Sequence, residues 1–325
     1  MRNNFPARWR ILLGGLLGLV LCAPAAAEIT LRIGHFPNIT HTQALVAHAL
    51  SRQGKGIFER HLGSGVKIEW YIYNAGPSAM EAILAKSIDV TYVGPNPVIN
   101  TYAKSRGSEG RIIAGSADGG AALVVHKDSP LKTAADFRGK TIATPQLGNT
   151  QDVSARAWLV AGGLKITQTG GDAQVVPTAN ADQLSLFKQK QLDAVWTVEP
   201  WVSRLELEAD GKILVDDRTS ITTVLVARAA FLAEQRDLVN KLVAAHREVT
   251  DWIRNNRVEA QRLVREELLA ETRTEMGPRL IEHSWNRIVL TGDVSADALK
   301  RFVSSAQSAG FLRGAPDMQR LVETP

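Results

Sequence analysis

The sequence predicts an α/β fold in two halves, with helices on the faces of largely parallel sheets and a helical C-terminal region. Three observations predict it. Short apolar or alternating runs alternate with amphipathic stretches from Ile29 to Ser203. Pro37, Gly76-Pro77, Gly94-Pro95 and Asn96-Pro97 all fall where a strand hands over to a helix. From Phe231 onward the apolar residues keep helical spacing only, as in Leu238, Leu242, Ala245, Val249, Trp252 and Ile253.

Taken in order, Ile29–Gly34 alternates as a strand, and His35–Ile39 is a loop. Thr40 and Gln43 match a capping box for a helix through Leu50. Val66–Tyr73 is a strand, and a helix follows Asn74-Ala75-Gly76-Pro77 through Ser78 to Lys86. Asp89–Val93 is a strand, Val98–Ala103 a helix and Arg111–Ala114 a strand, which completes a βαβαβαβ pattern. The second half has strands at Ala121–His126, Thr141–Ala143, Gln174–Pro177 and Leu192–Trp196. Its helices are Thr133–Phe137, one opening at Asn149 or Thr150, and Asp182–Lys190. The two halves share a grammar: KSIDV then Gly94 in the first, KQLDA then Glu199 in the second. Helical segments follow near Arg257–Leu269, Gly277–Val289 and Ala296–Ala309.

The 325 residues, 45% hydrophobic and 22% charged, allow one large globular domain or two modest ones. The N-terminus has Arg2, Arg8 and Arg10, then an apolar run Ile11–Leu21, then Ala25-Ala26-Ala27. This is the grammar of a cleavable export signal, with cleavage expected after Ala27 and a mature chain from Glu28. The apolar run is too short for an ordinary membrane span. With 38 Lys and Arg against 33 Asp and Glu, and three of the arginines in the leader, the mature net charge falls from +5 to +2. No basic block with interleaved aromatics stands out, which argues against nucleic acid as a partner. Cys22, the only cysteine, precedes the cleavage site, and Leu21 before it does not fit a lipid-anchor signal. The mature chain therefore has no disulfide, thiol nucleophile or thiolate metal site.

The stretch Thr141–Gly163 organises the rest. Its strand, its loop Pro145–Asn149 and its helix aim free N–H groups and the positive end of a helix dipole at whatever lies above the strand. Asn149 is the N-cap candidate and Asp152 follows three residues later. Open α/β sheets bind ligands at the carboxyl ends of their strands, and rigid Gly/Pro loops there fix backbone amides in place. Asp152 and Glu199 stand at two such loops. Each reads either as a contact to a positive or donor group on a ligand or, for Asp152, as a helix cap. Asp152 in the first helical turn would oppose an anion on that same terminus. Trp196 and Trp201 flank Glu199, as ligand walls or as core. The sequence holds no G-x-S-x-G, G-x-x-x-x-G-K-[ST] or G-x-G-x-x-G, so no nucleophile elbow, phosphate loop or dinucleotide fingerprint is present and no catalytic residue or cofactor is assigned. His35 and His41, six apart, are not at a standard metal spacing.

Several passages resemble the periplasmic substrate-binding proteins of ABC importers for nitrate, sulfonate and taurine. They are LRIGHFPN, NAGPSAMEAILAKSIDVTYVGPNPVINTYA, AALVVHKDSPLKTAADFRGKTIATPQLGNTQDVSARAWL and LDAVWTVEPWVS. The resemblance implies a two-lobed type II binding-protein fold with two crossover strands. One lobe would comprise residues 28–115 with 221–325, the other residues 116–220. It implies a monomer that clamps a small-molecule ligand in its cleft and delivers it to an inner-membrane permease and ATPase, without cofactor or metal. Carried onto this chain, the family's site falls on Asn38, His41, Gly76, Gly94, Pro95, Asn96, Asn149, Thr150, Gln151, Glu199 and Trp201, with Thr222 and Thr223 weaker candidates; Asp152 joins the expected ligand-binding set by its own position beside the loop Pro145–Asn149. The ligand it implies is an aliphatic sulfonate first, then taurine, with nitrate or a thiamine-precursor pyrimidine behind. A pyrimidine synthase-like enzyme on the same fold, using histidine and iron, is the alternative; it would have to employ His35 or His41.

Overall fold

The computed structural model describes Met1, residues 28–314 and residues 316–324. The leader, its cleavage site and Cys22 lie outside the described residues. Among the described residues no helix is long and apolar enough to cross a membrane.

The chain builds two main sheets. The first is six-stranded. It contains β1 (Ile29–His35), β2 (Val66–Ile72), β3 (Val90–Val93) and β4 (Arg111–Gly119). Helices α1 (Thr42–Arg52), α2 (Ile57–Leu62), α3 (Gly76–Leu84) and α4 (Pro95–Lys104) connect these strands. The second sheet is five-stranded, with β5 (Ala121–His126), β6 (Thr141–Thr144), β9 (Gln174–Pro177), β10 (Ala194–Val198) and β11 (Gly211–Asp217). A small ribbon of β7 (Ile166–Thr167) and β8 (Gly170–Gly171) precedes β9. Helices α5 (Thr150–Ala161), α6 (Asn180–Lys188) and α7 (Trp201–Glu208) cover this half. The chain then returns to the first sheet through β12 (Ile221–Ala227) and β13 (Ile288–Leu290), giving the strand order β13-β4-β12-β3-β1-β2. Helices α8 (Ala229–Glu234), α9 (Arg236–Asn255), α10 (Arg257–Thr272), α11 (Pro278–Trp285) and α12 (Ala296–Ser308) complete the molecule.

Passage between the sheets occurs twice. Gly119 and Gly120, both at φ +74, make the first turn from β4 into β5, and residues 218–220 make the second from β11 into β12. At Gly119 an added Cβ would meet the Arg287 carbonyl oxygen at 2.7 Å, so both conformation and space call for glycine there.

Period-2 patterning explains how one strand serves two cores. Tyr92 of β3 and Leu225 of β12 pack with α1, α9 and α10, while Val93 and Val224 pack with α3, α4 and α12. In the second sheet Leu123 and Val125 face α5, and Ala122 and Val124 face α6 and α7.

Four expectations are corrected here. Gly211–Asp217 and Ile221–Ala227 are strands where local patterning predicts none. The chain after Phe231 is not wholly helical: the expected helix to Val289 ends at Trp285, and Ile288–Leu290 pairs with β4. The first sheet is mixed rather than parallel, because β12 enters antiparallel between β3 and β4. The expected capping box of Thr40 and Gln43 does not form; Gln43 is buried and its Nε2 donates to the Ser116 carbonyl at 2.7 Å.

Candidate functional site

The two sheets face each other across a cavity of about 30 Å³. Five helix-opening segments reach it: the 3-10 turn Ile39–His41 ahead of α1, and the starts of α3, α4, α5 and α6. Each opening follows a strand, because the strand's carboxyl end is where the chain must turn into its helix.

Helix α5 is the best defined. The Asn149 side chain accepts from the Asp152 N–H at 2.8 Å and caps the helix. The N–H groups of Thr150 and Gln151 in the first turn have no intrahelical acceptor. The Thr150 hydroxyl is buried and has no hydrogen-bond partner. Asn180, which opens α6, accepts from the Thr197 hydroxyl at 3.1 Å through Oδ1, which leaves its amide nitrogen as a donor.

On the opposite wall, Gly94 approaches Thr150 so closely that a Cβ on it would lie 2.3 Å from the threonine Oγ1. Gly76 sits as tightly on Pro97, whose Cγ would lie 2.3 Å from a Cβ placed on the glycine. Both glycines therefore serve close approach between helix starts. His41 stacks on Phe36 at 4.3 Å, and its Nδ1 accepts the Phe36 N–H at 3.3 Å. Burial, reinforced by nearby His35, pushes the His41 pKa well below its ordinary value, so the ring is neutral and its Nε2 carries the proton.

Of the residues expected at the site, Asn38, His41, Gly76, Gly94, Asn149, Thr150, Gln151 and Thr222 line this cavity. Five do not. Pro95 and Asn96 lie within α4, Asn96 pointing its amide at the Phe302 carbonyl. Asp152 is wholly buried, where it accepts from the Thr144 hydroxyl and the Gly148 N–H, both at 2.9 Å, and pairs with Arg156 at 3.1 Å. That pairing neutralises the charge expected to oppose an anion. Glu199 pairs with Arg287 at 2.7 Å, and burial holds its pKa above the usual carboxylate range. Trp201 stands one step behind the cavity and donates from Nε1 to Asn38 Oδ1 at 3.1 Å, across the two sheets. Thr223 is buried in β12 outside the lining.

The lining also includes Asn74, Ala75, Pro145 and Asn180, which sequence reasoning does not single out. Asn74 and Ala75 belong to the same strand-to-helix handover as Gly76. Asn180 carries the same signal after β9, hidden because the pattern sets the helix start two residues later. His41 is the one titratable residue of the lining, which otherwise consists of amides, hydroxyls, prolines and small apolar groups. Neutral donors at converging helix starts are what a small anion requires.

Two sheets joined by two crossings, with a site between them built on helix starts, define the periplasmic binding protein fold. The chain belongs to the NMT1-like family, the match running over residues 25–266. It is similar to a Brucella abortus protein assigned as a binding protein, 25% identical over 234 residues, covering 70% of this chain and 68% of that one. A protein of Escherichia coli assigned as an aliphatic sulfonates-binding protein is 29% identical over 212 residues, covering 64% and 61%. Among solved structures, the alkanesulfonate-binding protein SsuA of Xanthomonas axonopodis pv. citri bound to MOPS superposes with a TM-score of 0.75 at 20% identity, covering 93% of this chain and 100% of that one. The nitrate-binding protein NrtA of Synechocystis PCC 6803 gives 0.68 at 15% identity, covering 90% and 84%. At such identities the structural likeness is one of fold.

Proposed function

We propose that this chain is the solute-binding component of an ABC importer, working in the periplasm on a small anionic or zwitterionic organic solute, an aliphatic sulfonate foremost. The observation that carries this reading is the cavity wall: several helix N-termini and unpaired amide and hydroxyl donors, with no charged side chain among the lining. Such a wall stabilises a compact oxyanion through fixed dipoles and releases it without breaking an ion pair. Relatives named for sulfonate binding support the choice of head group. In this reading residues 28–115 with 221–325 form one lobe and residues 116–220 the other. The lobes close by hinge motion at the two crossings, and the closed form docks on a membrane permease and its ATPase.

The observation that favours an enzyme instead is His41 in the cavity wall. Its Nδ1 is already engaged and no second titratable group lines the cavity, so general acid–base chemistry has no partner there.

The test is a thermal-shift screen of the purified protein with alkanesulfonates, taurine, sulfate, nitrate, phosphonates and aminopyrimidines, followed by calorimetry. A solute at 100 times its dissociation constant raises stability by about 2.7 kcal/mol. A sulfonate is expected to give the largest shift. Thr150→Val, which keeps the shape and removes the hydroxyl, is expected to weaken that solute roughly 10- to 100-fold, the scale of one hydrogen bond to a charged group. Turnover of an aminopyrimidine precursor with bound iron would replace this reading with the enzyme.

A further inference from the structure

Next to the loop Phe36–His41 and outside the cavity lining lies a second polar cluster that the site does not use. His35 ends β1, His48 lies in α1, and Glu267 and Glu271 lie one turn apart in α10. The His35 ring and the Glu271 side chain are wholly buried, and His48 is 12% exposed. His35 Nε2 is 3.0 Å from Glu271 Oε1, and His48 Nδ1 is 3.2 Å from the same oxygen. The first approach is not a hydrogen bond in direction: neither nitrogen of His35 has a hydrogen-bond partner, and Glu271 Oε2 has none either. Leaving a buried imidazole and a buried carboxylate oxygen unpartnered is costly, so the arrangement is incomplete.

We propose that His35, His48 and Glu271 form a binding site for a divalent metal ion of the zinc class. One donor atom from each lies within 4.8 Å of the others. Zinc takes histidine nitrogen and carboxylate oxygen at about 2.0–2.2 Å, which sets tetrahedral ligand atoms roughly 3.3 Å apart. The two separations to Glu271 Oε1, 3.0 and 3.2 Å, are close to that spacing. Two imidazoles and one carboxylate are a zinc donor set that leaves a coordination position open. The surroundings favour a cation: two carboxylates, Glu267 and Glu271, face the cluster against the single guanidinium of Arg52, which contacts Glu267 at 3.1 Å. Glu267 Oε1 lies 2.8 Å from the same His48 Nδ1, which places a second carboxylate oxygen beside the donor set, and Trp70 stacks on the His48 ring with centroids 5.0 Å apart. A metal here ties the end of β1 to α1 and α10 and holds the base of the loop that carries Asn38 and His41. Its place is structural, outside the solute cavity, whose lining contains none of the three ligands.

The experiment is calorimetric titration of zinc chloride into the chelator-stripped protein, with cobalt(II) absorption as a second readout. The expected result is one zinc per chain, bound at least tenfold more weakly by Glu271→Gln and by His48→Gln. His61→Gln, which alters a half-buried histidine paired with Glu248, is expected to bind as wild type does. Should both buried variants fail to fold, wild-type cobalt decides: intense visible bands of a four- or five-coordinate nitrogen and oxygen site support the assignment. No stoichiometric zinc, loss of binding with His61→Gln, or only the weak spectrum of octahedral cobalt would overturn it.

Discussion

His246 of α9 is wholly buried with both ring nitrogens engaged. Nδ1 accepts from the Tyr92 hydroxyl at 2.9 Å and Nε2 donates to the Gly115 carbonyl at 2.8 Å. That pair of bonds fixes the neutral tautomer, and burial lowers its pKa to about 4. The unfolded chain, with an ordinary histidine, takes up a proton near pH 6.5 that the folded chain refuses. Stability from this residue is therefore full above pH 6.5 and is lost as pH falls from there through about 4, an effect of about 3 kcal/mol. Denaturant unfolding across this range is expected to show a steeper decline in the wild type than in His246→Gln, whatever the variant's absolute stability. Parallel profiles would show that His246 does not carry the linkage. Such a role is illegible in sequence, where His246 is one more position on an amphipathic helix. Asp152 is instructive in the same way. Its place in the first turn of a helix is readable, but its neutralisation by Arg156 depends on a guanidinium that is only 1% exposed. An i, i+4 pair of that kind is normally a surface feature.

Elements with a clear period and punctuation were legible. The strand, the loop and the Asn149 cap of α5 follow from local chemistry, as do α3 and α4 after their Gly/Pro loops. β11, β12 and β13 were not, for distinct reasons. Ile221–Ala227 is buried on every residue, so it lacks the alternation that marks a half-exposed strand. Ile288–Leu290 is three residues long and sits inside a helical apolar pattern; only its partner β4 makes it a strand. The site shows the same division. Residues at helix starts could be found from loops, whereas Glu199 and Trp201, equally well placed in sequence, turn toward Arg287 and Asn38. The close pairing of the α4 and α5 starts yields an expectation at this scale. Gly94→Ala places a methyl 2.3 Å from Thr150 Oγ1. It should reduce solute affinity by at least tenfold in calorimetry while leaving the melting temperature of the solute-free protein within a few degrees. Combining it with Thr150→Ala should make the two losses less than additive, since the second change removes the atom the first collides with. Full additivity would mean the two helix starts do not meet when solute is bound.

At the scale of the whole molecule, the two halves are joined by specific polar bonds and by an apolar contact, Val153 of α5 being buried in the core formed with α3, α4 and α12. Arg287 reaches from the segment before β13 to Glu199 at 2.7 Å and Asp216 at 2.8 Å, both in the second half. Trp201 bonds Asn38, and Ser203 Oγ lies 2.8 Å from His283 Nδ1. Polar bonds of this kind can break and reform as a unit, and Val153 is the core residue that hinge opening of the proposed lobes would uncover. The mixed order of the first sheet has the same basis. The chain returns through β12 after building the second sheet, and its antiparallel pairing with β4, Ile221 against Asp118, places both crossings side by side. The central claim is that a compact anionic group is held between the sheets by helix N-termini and neutral side chains. The measurement that tests it most directly is a crystal structure of the protein with the solute that raises its melting temperature most. The acidic head group is expected in the cavity, its oxygens within hydrogen-bond distance of Thr150 Oγ1 and the first-turn N–H groups of α5, with no arginine or lysine in contact. A head group bound outside this cavity, or held there by a cationic side chain, would contradict it.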